Sequence, residues 1–415
     1  MKKIILLSTI LVSSSTVWAA GYQLQEYSVT GLGRAMAGAG IMGDDYSALA
    51  FNPAGMSFNE RSGAQLGFIG VDLRSKVKGS QKTNLPQTTQ SGQDFTHLFR
   101  LLPSAFGQYK ISEKATVGLG LYTPFGLATD YRNNWFAAAQ GQYSGITVVN
   151  LTPALSYKIN DMFTIGAGVN LQYAVAHLTG GTFDGGWTDM HDADDLGVGY
   201  TIGLTFQPWK TTRFGISYRS KVDHKLQGKN KMSDGFAHLG LTGTHDVNAQ
   251  ITTPETVIFS AAQDIGSKWT LSGTARWTRW SQFHDLDIYQ KGYQRDGGRL
   301  SSVHEHWRNT WFFAAGADYK YCKNLTFRFG TAYDQTAIKS PQYRTVRIPD
   351  QRRIWASVGA SYQKDNWQLD AGYAHLFVRK AYGAATTGSE AAPVKVNASW
   401  KTQSNILGVQ FQYKF

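Results

Sequence analysis

The chain alternates between apolar and small or polar residues. From Phe163 to Val175 every second residue is apolar, through Ile165, Ala167, Val169, Leu171 and Tyr173. Between them stand Thr164, Gly166, Gly168, Asn170, Gln172 and Ala174. A second run sets Leu196, Val198, Tyr200, Ile202, Leu204 and Phe206 against Gly197, Gly199, Thr201, Gly203 and Thr205. A period of two marks β-strands, because successive side chains leave opposite faces. In a water-soluble sandwich the apolar face would be the core. Here the strands are long and the opposing face is small rather than charged. That pattern predicts a barrel with lipid outside and a space within.

The connections give the count. Six are short and polar, at 110–114, 158–161, 208–213, 264–268, 321–324 and 363–366. Seven longer ones alternate with them, at 74–96, 128–144, 179–195, 228–248, 284–306, 336–350 and 379–403. Outer-membrane barrels have short periplasmic turns and long external loops. Thirteen connections predict fourteen antiparallel strands, with both chain ends on the periplasmic side. The last strand alternates Leu407, Val409, Phe411 and Tyr413 and ends on Phe415, the kind of terminus that outer-membrane assembly machinery reads.

Two segments fall outside this rhythm. Residues 1–19 carry Lys2 and Lys3, an apolar run from Ile4 to Val12, and small residues at Val17 and Ala19. These features predict a secretory signal peptide. The run is too short to cross a bilayer as a helix, and no later apolar run of about 18 residues exists. Residues 20–61 are rich in glycine and small apolar residues, and Pro53 ends any local helix. A dangling tail would be more polar and charged. This segment is therefore expected to fold into the lumen as a plug, ahead of a barrel over 62–415.

Composition changes little in this picture. The mean hydropathy of −0.31 matches a soluble protein, but a barrel's two faces average to that value. Aromatic residues make up 13% and glycines number 44, as many strands, aromatic girdles and tight turns require. The formal charge is +12, and removing Lys2 and Lys3 leaves 39 basic against 29 acidic residues, or +10. Export makes nucleic acid an unsuitable partner. Outer-membrane lipid, lipopolysaccharide and acidic ligands fit better. Cys322 is the single cysteine, so no intramolecular disulfide forms and its role is structural. No cofactor motif stands out, and a monomer is expected.

Several stretches together resemble one known family. They are GYQLQE from Gly21 to Glu26, GLGRA from Gly31 to Ala35, Asp44 with Asp45, and Asn52-Pro53-Ala54. Further along come Gly126 to Tyr131 in the third strand, Tyr218 to Val222 in the seventh, Trp280 to Phe283 closing the ninth, and Ile348 to Trp355 opening the twelfth. In this order they are similar to the FadL family of long-chain fatty-acid transporters, whose other branch carries monoaromatic hydrocarbons. The resemblance covers essentially the whole mature chain. It implies a fourteen-stranded barrel plugged by a hatch, passive diffusion of a hydrophobic ligand, and lateral exit at a kink in the third strand.

Candidate residues follow from both readings. Pro124 removes a ladder donor and Gly126 weakens the strand two residues on, so Pro124, Gly126 and Leu127 are the candidate kink. The alternative is that Pro124 merely ends the strand. Extended alternation places Arg219, Lys221, Arg308 and Arg353 on the inward face. A guanidinium can take a fatty-acid carboxylate bidentately, and the resemblance implies that Arg308 stands at one carboxylate-binding position. At the other, near Gly180, no basic residue occurs. The alternative for these arginines is pairing with acids such as Asp45 or Asp350. In Asn52-Pro53-Ala54 the asparagine and proline shape a turn, which either stabilises the plug or acts as a latch.

Other signals carry less. GLGRAMAG has no strand before it and reads as close packing rather than phosphate binding. His304-Glu305-His306 offers two imidazoles in a metal-ligand spacing but lies on a solvated loop. Residues 189–195 are acidic but lack the glycine and distal glutamate of a calcium loop. No Ser, His and acid set at matched height supports a barrel enzyme. An adhesin or phage receptor acting through external loops is the competing non-enzymatic reading, but a forty-residue plug serves neither an adhesin nor a polar pore.

Overall fold

The computed structural model describes residues 21–84, 87–181, 186–234, 241–293, 295–388 and 393–415. The expected signal peptide lies outside them. Among the described residues the strands are β1 (Gly63–Asn84), β2 (Gln87–Lys110), β3 (Ala115–Asp130), β4 (Tyr143–Lys158), β5 (Phe163–Gly181) and β6 (Trp187–Trp209). Four more come in two stretches each: β7 (Thr212–Arg219, Val222–Met232), β8 (Gly243–Thr253, Thr256–Ile265), β9 (Trp269–Thr278, Asp285–Gln290) and β10 (Arg299–His304, Thr310–Lys320). The circle is completed by β11 (Leu325–Asp334), β12 (Arg353–Lys364), β13 (Trp367–Val378) and β14 (Pro393–Lys414). Pro254, which cannot donate to a ladder, sits at the break in β8.

Each strand pairs antiparallel with the next, and β1 pairs β14 from Gly63↔Lys414 to Thr83↔Val394. The sheet therefore closes on itself as a fourteen-stranded antiparallel barrel, one of the two architectures that can span a bilayer. The outward faces carry the predicted apolar residues. Leu196, Val198 and Leu407 are more than 60% exposed in the isolated chain, which marks a surface made for lipid. Tyr109, Tyr157, Trp209, Trp269, Tyr321, Tyr362 and Tyr413 ring the periplasmic end near the short turns, as an aromatic girdle does.

The short turns fall where the sequence places them, but most of the long connections are not loops. The β1–β2 ladder continues outward from Arg74↔His97 to Asn84↔Gln87. Among the described residues, 179–181 pair with 187–189, 228–232 with 243–247, and 285–289 with 299–304. Beyond the bilayer both faces meet water, so alternation fades while backbone pairing persists.

The N-terminal segment lies inside this wall. It contains two short helices, α1 (Val29–Gly33) and α2 (Ala48–Phe51), then a 3-10 turn over Pro53–Phe58. The Ser28 hydroxyl caps α1 by accepting from Gly31 N–H, and Pro53 starts the 3-10 turn at a position where its missing donor costs nothing. Small inward residues let the segment approach the wall. A Cβ on Gly330 would stand 2.1 Å from the Arg34 carbonyl carbon, so the wall needs glycine there. Arg34 and Arg328 share Asp44 and Asp318 across 2.7–3.3 Å, which ties the segment to β10 and β11.

Candidate functional site

The third strand is where the wall is interrupted. β2 and β3 pair from Lys110↔Thr116 to Ala105↔Leu121 and no further. Beyond that point β2 stays with β1, and β3 stays with β4. The β3–β4 register itself shifts between Tyr122 and Phe125, over Thr123 and Pro124. Proline offers no N–H for the ladder, so the bulge falls on it.

Residues 22–24 fill the gap. Gln23 and Phe125 form an antiparallel bridge. Leu24 donates its N–H to Pro124 O, and Gly126 donates to Tyr22 O, both at 2.8 Å. The candidate kink residues Pro124 and Gly126 thus hold residues 22–24 as a short extra strand. Leu127, the third, is buried in the apolar cluster beside them.

That cluster is rich in aromatic rings. The Tyr22 ring centroid lies 4.7 Å from Trp280, 5.7 Å from Phe283 and 5.9 Å from both Phe125 and Trp307. Leu73, Val148, Ile251 and Ile348 pack around it. Tyr22 Oη donates to Thr252 O at 2.8 Å, so the one polar atom of the ring is satisfied.

Deeper in, the segment reaches two buried guanidinium groups. Arg219 donates to the Tyr122 hydroxyl and lies over that ring at 5.5 Å. Arg276 donates to Gln25 Oε1 at 2.7 Å and lies over Phe312 at 4.9 Å. Neither has a carboxylate within ion-pair distance among the described residues, whereas a buried charge is usually paired. Arg276 escaped the sequence reading, although alternation through Trp277 and Ala275 already turns it inward.

The other arginines stand elsewhere. Arg353 is inward and buried, held by Asp334 at 3.2 Å and Asp350 at 2.8 Å, so its charge is already matched. Arg308 is a correction. It is exposed at the outer rim, with its Nε donating to Thr336 O at 3.2 Å. The regular stretch of β10 begins only at Thr310, so alternation does not extend back to 308. Lys221 is likewise exposed, paired with Asp223 at 3.0 Å.

Near Gly180 the structure supplies a cation that strand sequence alone does not. Arg347, from the long connection 336–350, brings Nη2 to 3.6 Å from a Cβ placed on Gly180. Its Nη1 donates to Ser144 Oγ at 2.7 Å. In the same mouth, Glu305 is buried, accepting from Trp307 Nε1 at 2.9 Å and Thr345 Oγ1 at 3.3 Å. Burial pushes its carboxyl up to about 8, against the pull of those two donors.

The Asn52-Pro53-Ala54 turn grips the opposite wall. Asn52 Nδ2 donates to Leu204 O at 3.2 Å and Ile216 O at 3.3 Å, on β6 and β7. Its Oδ1 accepts from Ala54 N–H at 3.1 Å. The outer hairpin brings Asp285, His304 and His306 within 4.8 Å of one another. His304 Nδ1 already hydrogen-bonds Asp285 at 2.6 Å, on an exposed face.

The family described as "outer membrane protein transport protein (OMPP1/FadL/TodX)" matches residues 10–415. The chain is 26% identical over 439 residues to a long-chain fatty acid transport protein of Escherichia coli O6:H1, covering 97% of this chain and 96% of that one. It is 29% identical over 449 residues to a 47 kDa outer membrane protein of Pasteurella multocida, covering 99% and 98%. Among solved structures it is similar to a Pseudomonas aeruginosa FadL homologue, with a TM-score of 0.86, 25% identity, and 95% and 100% of the two chains covered.

Proposed function

The chain belongs to the OMPP1/FadL/TodX family of outer-membrane transport proteins, and from that premise we propose that it carries long-chain fatty acids, which leave sideways between β2 and β3. The observation that carries this reading is the end of the β2–β3 ladder at Leu121, with residues 22–24 bridging the gap. The family transports hydrophobic compounds across the outer membrane. The fatty-acid ligand and the lateral route are the finer steps proposed here.

The steps follow from the contacts. An acyl chain entering the mouth gains by burying its methylenes against Leu73, Ile251 and the aromatic cluster, at roughly 0.8 kcal/mol per CH₂. Competition for that space displaces the Tyr22 ring. Releasing residues 22–24 breaks two backbone hydrogen bonds to β3, each worth about 0.5–1.5 kcal/mol net. A few buried methylenes offset that cost. The carboxylate meanwhile has Arg276 and Arg219 within the lumen as unpaired cations. Once the gap is open, the acyl chain passes from the lumen to lipid without crossing water. The Asn52-Pro53-Ala54 turn stays in place as the fixed end of the plug, a role supported by its two bonds to the wall.

A disulfide tests this. Gln23 and Phe125 face each other in a non-hydrogen-bonded pair, where Cα atoms stand about 4.5 Å apart, within disulfide range. Gln23→Cys with Phe125→Cys, in a Cys322→Ser background, should oxidise readily. Labelled oleate uptake into cells should fall on oxidation and return on reduction. Equal uptake in both states would overturn the route. The aromatic lining of the mouth favours one second reading, a monoaromatic hydrocarbon ligand. Toluene displacing oleate from the purified barrel at comparable concentration would support it.

A further inference from the structure

We propose that the outer rim over β10–β13 is a binding site for a phosphorylated glycolipid headgroup of the outer leaflet. The argument starts from register. Phe313↔Tyr333, Tyr333↔Ile354 and Ile354↔Phe377 are aligned partners, so one residue from each of four adjacent strands forms a single row. All four face out, from 37% exposed at Tyr333 to 58% at Phe377. This row is lipid-facing wall.

Arg352 and Arg379 stand just beyond the outer ends of β12 and β13, two residues past Ile354 and Phe377, and both are exposed. Arg379 N–H donates to Arg352 O at 3.1 Å, which carries the β12–β13 pairing one residue past Arg353↔Val378 and leaves both side chains on the exposed side with Ile354 and Phe377. A strand rises about 3.3 Å per residue, so both guanidinium groups start about 7 Å above the apolar row. That is the level where acyl chains give way to headgroups.

The two arginines are part of a larger basic groove. A cavity of about 310 Å³ is lined by Arg308, Lys339, Arg344, Arg352, Arg379 and Lys380. Arg308, Lys339, Arg352, Arg379 and Lys380 are exposed, and none has an ion-pair partner among the described residues. The buried sixth, Arg344, donates through Nε to Asp350 O at 2.9 Å and through Nη1 to Tyr382 O, which fixes the floor. Lys380 lies over the Tyr382 ring at 5.0 Å. Five uncompensated cations in one groove repel each other, and they persist where an anion of higher charge sits among them. Arginine forks suit phosphate oxygens, and basic pockets beside acyl chains take phosphorylated headgroups. In an outer membrane the outer-leaflet lipid with that chemistry is lipopolysaccharide, whose lipid A carries phosphates directly above its acyl chains. The groove also explains Arg308, which the lumen does not use.

The test uses the refolded full-length barrel in detergent. Bisphosphorylated hexa-acyl lipid A is the probe, and its dephosphorylated form is the control. Wild type should bind the phosphorylated lipid saturably. Arg352→Ala with Arg379→Ala should bind it about tenfold or more weakly, as expected for losing charge-assisted hydrogen bonds. Oleate binding by the same variant should stay unchanged, which also shows that it is folded. The dephosphorylated lipid should bind wild type no better than the phosphorylated lipid binds the variant. Three results would overturn the proposal. One is equal lipid A binding by wild type and variant. Another is an equal loss in Lys158→Ala with Lys364→Ala at the periplasmic end, which would mean non-specific charge attraction. The third is full displacement by equimolar free pyrophosphate, which would make the groove a site for soluble anions.

Discussion

Gly126 gives its backbone N–H to the Tyr22 carbonyl at 2.8 Å. The bond joins the N-terminal segment to β3, whose pairing with β2 stops at Leu121. In a closed barrel every edge is satisfied within the wall. Here a stretch of β3 is satisfied partly by a segment that is not wall.

Gly126→Val tests how far that stretch must stay poorly paired. A β-branched residue favours regular strand by up to about 1 kcal/mol over glycine, or about fivefold in an equilibrium. Oleate uptake should fall by about that factor, while the yield of folded barrel in outer membranes stays at the wild-type level. Undiminished uptake would show that opening does not depend on this residue.

Arg276 and Arg353 should separate cleanly. Among the described residues Arg276 bonds the neutral Gln25 amide, lies over the Phe312 ring and has no carboxylate within ion-pair distance, and its Nε has no hydrogen-bond partner. Arg276→Met should weaken oleate binding roughly 10- to 100-fold, the worth of a charged hydrogen bond, and leave oleyl alcohol binding nearly unchanged. Arg353→Met instead removes the guanidinium that meets the buried carboxylates of Asp334 at 3.2 Å and Asp350 at 2.8 Å. It should lower stability by about 3–5 kcal/mol, measured by urea unfolding in detergent. Oleate affinity of the folded fraction should not change. The reverse pattern would exchange the two roles.

These residues show how far the sequence carries. Strand number, short turns and outward faces were legible because a bilayer imposes alternation on every strand that crosses it. Above the bilayer that constraint lapses, and paired hairpins such as Arg74 to Asn84 against Gln87 to Thr96 looked like loops. The gap beyond Leu121 was not legible, because Pro124 marks a weak point in β3 without saying that β2 has already parted from it. Arg353 was rightly placed inward, but its partner Asp334 depends on β11–β12 register. Arg308 was misplaced because parity was carried past the end of its strand. Arg347 lay in a long connection, where alternation gives no direction at all.

The mouth should respond to pH near 8. Glu305 keeps its proton in the folded protein up to about 8, whereas its ordinary value is 4.5. For an acid raised in this way, the stabilising contribution is full below the unfolded value and is lost as pH rises through 8. Ionised Glu305 would be a buried anion beside Trp307, with Arg347 as its nearby countercharge. Raising the pH from 6 to 9 should loosen the packing of Trp307 on Tyr22 and shift tryptophan emission. Glu305→Gln should abolish that transition. A transition of equal size in the variant would assign it to another group.

The Arg34 ion pairs are expected to hold the N-terminal segment in the lumen. Arg34 meets Asp44 at 2.7 Å and Asp318 at 3.0 Å, and its side chain is only 4% exposed. Removing it leaves Arg328 alone to hold both carboxylates. Breaking a buried pair from one side costs about 3–5 kcal/mol, because the remaining charge stays buried. The strands themselves do not depend on this pair, so Arg34→Ala should still fold as a barrel. The strain should instead appear in the plug, as a raised and fluctuating ion conductance in planar bilayers. Adding Asp44→Asn should recover part of the loss, since it removes one of the stranded charges. Wild-type conductance in Arg34→Ala would mean that the backbone contacts at Gly330, and the Asn52 bonds to β6 and β7, hold the plug without it.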